Sequence, residues 1–408
     1  MRQNRRIVCA QLRVGDADLP SYRLTDILAK IDAAQEFAGL NRLLFLPTHN
    51  AGINKSIVKH CRKHGVEVYL WYKVLTDNDI MANRDELAED AFGRRGMGET
   101  ALWTPILNSE EIYSFGCPVN GKYNTLLLDK CKTLLSGDYD GLYADCIGYP
   151  LPSLGYEALF TCFCRACAER EPRIAEWRSR VVAMREEIEC WTDADAKEVG
   201  DFAGLARKYG LEGFYTFRMG LITELSARYA KLARDMDKGF GLDVMSPALA
   251  FYAGHDLEAL GALADFIKPR IYCNTYGPSS IPLEFSSMGT GLKTWAPRLG
   301  IPAVMDFIGK STGLGIRNLS EMYLPHEAAR EQIRRALAMA PTAVFPGIEC
   351  SLHPDYETFI DEKVVAAYAD ASRDATGVVM AWNLLFMPEY FLRVVGDVLH
   401  APRDRVAL

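Results

Sequence analysis

Eight short apolar runs, each followed by a turn and a helical pattern, divide this chain from end to end. The runs are "RRIVCAQLRVG", "NRLLFLPTHNAG", "VEVYLWYKVLTDN", "DGLYADCIGYP", "GLDVMSPALAFYAG", "DFIKPRIYCNTYGP", "TAVFPGIECSLHP" and "TGVVMAWNLLFMP". Strands joined through helices lie parallel, because a helix returns the chain to the edge from which the last strand started. Eight such units in 408 residues predict an α/β (β/α)8 TIM barrel, with a helical insertion after the fourth strand. A doubly wound open sheet is the alternative, but no glycine-rich phosphate turn follows the first strand. No solenoid repeat or low-complexity linker divides the chain. The expectation is a single catalytic domain over 1–408, with insertions at about 76–116, 150–238 and 277–322.

The hydrophobic fraction, 49%, is ample for a large core. The net charge is −7 and basic residues are scattered, so neither nucleic acid nor an anionic membrane is an expected partner. No window approaches a membrane span, and the N-terminal apolar stretch is too short and polar for a signal peptide. The expected compartment is the cytoplasm. There, eleven cysteines point to metal binding or burial rather than disulfides.

In a TIM barrel the chemistry sits at the C-terminal ends of the strands. Those positions hold Gln11 and Arg13, His49 and Asn50, then Trp71, Tyr72 and Lys73. The fourth strand supplies Asp145 and Tyr149, the sixth Tyr272, Asn274 and Tyr276, the seventh Glu349, and the eighth Trp382 and Asn383. Aromatic faces stack on sugar rings, while amides and carboxylates bond hydroxyls. The expected substrate-binding set is His49, Asn50, Trp71, Tyr149, Tyr272, Asn274, Trp382 and Asn383. Two of them have a plainer alternative: a structural hydrogen bond for His49, a buried barrel-top ring for Trp382. Asp145 and Glu349 each follow an apolar strand, where a carboxyl is costly without a partner or a task. Glycoside hydrolysis needs two carboxyls, so these two are the expected catalytic pair. The plainer reading is a cap for Asp145 and an ion pair for Glu349. His60 and His64 have a metal-compatible i,i+4 spacing on a helix, but with Lys59, Arg62 and Lys63 beside them they read as a solvated face.

"TCFCRACAER" sets Cys162, Cys164 and Cys167 within six residues. A closed structural zinc site takes four ligands, and Cys117 is the natural fourth, since the start of the helix before the fourth strand and the segment after that strand share one barrel rim; Cys146 is the competitor. Buried free thiols and an iron–sulfur cluster are the alternatives.

"CPVNGKY", "GLYADCIGYP" and "CFCRACAER", in that order, resemble the middle of glycoside hydrolase family 42 β-galactosidases and related glycosyl-hydrolase-like barrels. "YTFRMGLITEL", with Arg218, and "DFIKPRIYCNTY" look like segments common in those barrels. The resemblance spans about 110–276. It implies a structural zinc held by Cys117, Cys162, Cys164 and Cys167, a carbohydrate substrate and an assembly of like chains. It also implies an Asn-Glu pair ending the fourth strand. This chain lacks the pair, and Ile147 stands near the place of the glutamate.

The reading is therefore a glycosidase acting on a glycoside or small oligosaccharide, with Asp145 as acid/base or nucleophile and Glu349 as its partner. Two other readings are a degenerate barrel that binds carbohydrate without cleaving it, and a sugar lyase or isomerase.

Overall fold

The computed structural model describes residues 6–15, 21–76, 86–96, 114–315, 318–320, 323–354 and 356–402. Most of the stretch expected as an insertion at 76–116 lies outside them. Eight parallel strands close into a barrel. They are β1 (Ile7–Arg13), β2 (Arg42–Leu46), β3 (Glu67–Lys73), β4 (Gly141–Asp145), β5 (Gly239–Met245), β6 (Phe266–Arg270), β7 in two pieces (Ala343–Val344 and Gly347–Glu349) and β8 (Gly377–Ala381). Each pairs with the next, and β8 pairs with β1 to complete the ring. β7 is broken at Phe345 and Pro346, where proline has no N–H for the ladder.

The barrel interior is its own core, filled by Cys9, Leu44, Tyr69, Trp71, Tyr143, Phe266, Phe345 and Val379. Large rings on some strands occupy space left by glycines on others. Tyr69 of β3 lies against Gly141 and Gly239, where an added Cβ would stand 2.3 Å and 2.2 Å from it. Phe266 fills the space beside Gly241 in the same way. A second core lies between strands and surrounding helices.

After β4 the chain makes four helices, Arg165–Arg170, Ile174–Ile188, Asp193–Val199 and Phe202–Lys208, before the long helix Glu212–Asp235 returns it to β5. After β6 come Ile281–Trp295, Ile301–Thr312 and His326–Met339. These two excursions pack together: Trp295 stacks on Phe160 at 5.3 Å between ring centroids and meets Tyr156 edge-on at 4.9 Å. Together they wall one side of the barrel mouth. No helix among the described residues is long and apolar enough to cross a membrane.

Candidate active site and cysteine cluster

A pocket opens at the C-terminal mouth of the barrel. Of the residues expected to bind or cleave substrate, Asp145, Trp71, Tyr149, Tyr272, Trp382 and Asn383 line it. Trp382 meets Tyr272 edge-on at 5.1 Å and Tyr356 at 4.7 Å, and these three rings form one wall.

Asp145 ends β4 and pairs in register with Lys73 of β3. Its Oδ2 accepts from the Trp71 indole N–H at 2.8 Å, and its Oδ1 accepts from Arg270 Nη2. Burial alone would raise its pKa. Arg270 and Lys268 outweigh that, together with hydrogen bonds from Trp71 and Asp243, and hold the carboxyl at about 2. Asp145 is therefore an anion at any ordinary pH. Asp243, one strand over on β5, lies within hydrogen-bonding reach of it. Arg270 Nε sits 3.2 Å from Asp243 Oδ1, and Lys268 Nζ 3.4 Å from Oδ2. Burial pushes the Asp243 carboxyl up despite both cations, and the neighbouring Asp145 charge adds to the rise. The two neighbouring carboxyls are thus driven apart in acidity, as adjacent carboxyls are.

A third carboxyl, Glu284, lines the same pocket from the first turn of the helix Ile281–Trp295. It accepts from Ser153 N at 2.9 Å, Ser153 Oγ at 2.7 Å and Ser279 N at 3.2 Å. Those bonds and the helix N-terminus favour its ionised form, yet complete burial wins and raises it to about 7. His255 also lines the pocket, and burial lowers it to about 4. It is neutral at pH 7, its Nδ1 accepting from Met245 N at 3.0 Å.

Four expected site residues are elsewhere. Glu349 does not line the pocket: its Oε2 accepts from Cys273 N at 2.9 Å, Asn274 N at 2.8 Å and the Tyr368 hydroxyl at 2.7 Å. It ties the segment after β6 to the helix Glu362–Ala371, and burial pushes its carboxyl up. Asn274 belongs to the same buried knot, its Oδ1 accepting from Tyr368 at 2.8 Å. Asn50 is exposed and caps the helix Ala51–Lys63, its Oδ1 accepting from Gly52 N and Ile53 N. His49 is exposed beside it, outside the pocket lining.

Beside the barrel, the thiols of Cys117, Cys162, Cys164 and Cys167 converge, all within 4.8 Å of one another and all buried. Cys117 Sγ lies 3.3 Å from Cys164 Sγ and 3.6 Å from Cys167 Sγ. Cys146 instead lines the pocket, so Cys117 is the fourth member. The backbone N–H groups of Glu89 and Cys164 point at Cys162 Sγ, and that of Val119 at Cys117 Sγ, each at 3.4 Å. Nearby, Arg218 is 1% exposed. Its guanidinium donates to Leu159 O and Tyr252 O, lies 4.3 Å above the Tyr149 ring, and forms no ion pair with a carboxylate among the described residues. The charges it feels include Cys162. A buried cation within electrostatic reach of Cys162 suits a set that carries negative charge, as four thiolates around a divalent ion would.

No protein-family model matches the chain, and neither does any curated protein sequence. Solved structures do resemble it. The PgaB (BpsB) glycoside hydrolase domain from Bordetella bronchiseptica aligns over 97% of this chain and 98% of that one, with 13% identity and a TM-score of 0.52. A chitinase from Chromobacterium violaceum aligns over 98% and 100%, with 9% identity and a TM-score of 0.46. The α-galactosidase TtGalA from Thermus thermophilus aligns over 97% and 62%, with 11% identity and a TM-score of 0.47. At such identity the likeness to the first of these speaks for the barrel fold alone.

Sequence reasoning missed Asp243, Arg270, Glu284 and His255. For the first two a signal existed. Period-two reading of β5 and β6 places Asp243 in line with Gly239 and Gly241, and Arg270 in line with Phe266 and Lys268, on the inward face. Charges on an inward face of an apolar strand mark a site. Glu284 and His255 lie on helical excursions, where no local pattern reports proximity to the mouth.

Proposed function

We propose that this protein is a glycoside hydrolase acting on a glycoside or small oligosaccharide. The observation that carries the reading is a set of carboxyls with divergent acidities in one aromatic-walled pocket at the barrel mouth. Asp145, ionised and held by Arg270 and Trp71, is the group to face the developing positive charge at the sugar's anomeric carbon. Asp243, in hydrogen-bonding reach of it, is too near to act from the opposite side of a scissile bond, which takes about 5 Å or more. It positions Asp145 and tunes its charge. Glu284, raised to about 7, is the proton donor for the leaving oxygen, because it keeps a proton near neutral pH and can release it. Trp71, Tyr272, Tyr356 and Trp382 offer ring faces for stacking, and Asn383 an amide.

A second reading, carbohydrate binding without cleavage, has one observation in its favour: each pocket carboxyl is already engaged by protein donors or cations. A panel of nitrophenyl glycosides and oligosaccharides separates the two. Oligosaccharide turnover lost in Asp145→Asn and Glu284→Gln but kept per folded molecule in Glu349→Gln supports the assignment. Oligosaccharide turnover unaffected by the first two substitutions overturns it. Ligand-induced stabilisation without any turnover supports the binding reading.

The four cysteines are proposed to hold a zinc ion that is structural. Four thiolates close a tetrahedral shell and leave no position for water. Its task is to fasten the segment carrying Cys162, Cys164 and Cys167 to the start of the helix Gly121–Leu135, which Cys117 precedes. That segment leads from the pocket residues Tyr149, Leu151, Ser153 and Leu154.

A further inference from the structure

The helix layer at the opposite end of the barrel holds a second convergence of ligand atoms. His60 and His64 lie one turn apart at the end of the helix Ala51–Lys63, which runs into β3. Their rings stack at 4.5 Å and 26°. Both face Asp32 of the neighbouring helix Leu24–Ala38. His60 Nε2 is 2.6 Å from Asp32 Oδ1, and His64 Nδ1 is 3.9 Å from the same oxygen. One ligand atom from each residue falls within 4.8 Å of the others. The sequence alone gave only the i,i+4 pair among basic neighbours. The fold adds the carboxylate and turns one of those cations away: Arg62 goes to Asp138 at 2.5 Å.

We propose that Asp32, His60 and His64 form a binding site for a borderline divalent transition-metal ion of the zinc class. Around a tetrahedral ion with bonds of about 2.0–2.1 Å, ligand atoms stand roughly 3.3 Å apart, and the 2.6 Å and 3.9 Å separations bracket that value. Two imidazoles and a carboxylate are the donors such an ion prefers. The three side chains are partly exposed, at 46% for Asp32, 18% for His60 and 35% for His64, so an ion can enter and water can complete its shell. The frame is already set, because Gln35 Nε2 donates to His64 O at 2.7 Å and joins the same two helices. Unlike the cysteine cluster, this site is open and holds no sulfur, so the two are distinguishable by spectrum.

The test starts from protein whose cysteine cluster is saturated with zinc, one ion per chain. Cobalt(II) is then titrated and followed by calorimetry and visible absorption. The parent is expected to take one further ion, with d–d bands and no sulfur-to-metal charge transfer. Asp32→Ala, His60→Ala and His64→Ala should each weaken that uptake by more than the ten- to hundredfold typical of losing an outer-shell partner. Lys59→Ala, on the same helix, should not. Melting curves in chelator confirm that each variant is folded. No second ion in the parent, or parent-like uptake in Asp32→Ala and His64→Ala, overturns the proposal.

Discussion

Asp145 and Asp243 lie on neighbouring strands and share the guanidinium of Arg270, yet their acidities are driven to opposite sides of the ordinary aspartate value. The difference comes from access to donors. Asp145 receives the Trp71 N–H and the Arg270 N–H, while Asp243 is the more deeply buried of the two carboxyls and repelled by the anion beside it. One carboxyl thus has its ionised form favoured by the fold, and the other has it disfavoured.

The stability of the fold should register this split. The Asp145 carboxyl has its pKa depressed on folding, from 3.8 to about 2. Its contribution is present above pH 4 and is lost as pH falls through about 2. Nearly two units correspond to about 2–3 kcal/mol. Asp145→Asn should lose at least that at neutral pH, since Arg270 is left with one anion fewer, and the deficit should shrink on acidification. Asp243 has the opposite sign: its raised pKa gives stability that is present at low pH and lost as pH rises. Asp243→Asn should therefore be the milder variant at neutral pH. Urea unfolding of both, from neutral pH down to about 3, checks the order. Equal losses at neutral pH would contradict it.

Glu284 ties pH to both stability and turnover. Its pKa rises from 4.5 to about 7 on folding, which favours the protonated native state. The associated stability, roughly 3 kcal/mol, is complete below pH 4.5 and disappears as pH rises through about 7. Glu284→Gln should flatten the stability profile in that window. If Glu284 is the proton donor, kcat/KM on an active glycoside should fall as pH rises past about 7. The variant should lose turnover on poor leaving groups far more than on nitrophenolate, which departs without a proton. A parental profile flat from pH 5 to about 9 would remove Glu284 from that role.

The barrel was legible because its strands carry a plain signal, short apolar runs separated by helices, and no long-range knowledge is needed to count them. The cysteine cluster was legible. Spacing exposed Cys162, Cys164 and Cys167, the shared barrel rim pointed to Cys117, and the four thiols do converge, while Cys146 faces the pocket. Strand-end carboxyls were the weak point. Position marks Glu349 as a mouth residue, yet three donors from Cys273, Asn274 and Tyr368 draw its side chain into a buried knot. Asn50 shows the same limit, because a cap and a sugar ligand look alike until the helix start is placed. Arg270 ends β6 as Asp145 ends β4, but it was passed over because the end of that strand was read further on, at Tyr272, Asn274 and Tyr276.

The interior glycines should be intolerant of even one methyl group. A Cβ at Gly141 would stand 2.3 Å from the Tyr69 ring, and one at Gly241 would stand 2.2 Å from Phe266. Those rings are packed against other side chains of the barrel interior and have nowhere to go. Gly141→Ala and Gly241→Ala should each cost about 3 kcal/mol or more, at or beyond the upper end of overpacking effects. Tyr69→Leu combined with Gly141→Ala should recover part of the loss, giving a coupling that a double-mutant cycle measures. Additive losses would mean that the ring is not what excludes the methyl group.

Arg218 should prove necessary for metal retention although it touches no metal. A zinc ion with four thiolates carries net negative charge, and in a buried setting that charge needs a nearby cation. Arg218 is fully buried, unpaired with any carboxylate among the described residues, and hydrogen-bonded to Leu159 O on the segment that leads into Cys162. Arg218→Met should keep the volume and remove the charge. Zinc release to a chromogenic chelator should then become about ten- to hundredfold easier, the usual effect of losing an outer-shell partner. Arg218→Lys should recover part of that difference, which loss of packing alone would not explain. Cys164→Ser should abolish stoichiometric zinc and lower Tm, with the segment after β4 becoming the first region cut by protease. If Arg218→Met holds zinc as tightly as the parent, the guanidinium serves only the carbonyls of Leu159 and Tyr252.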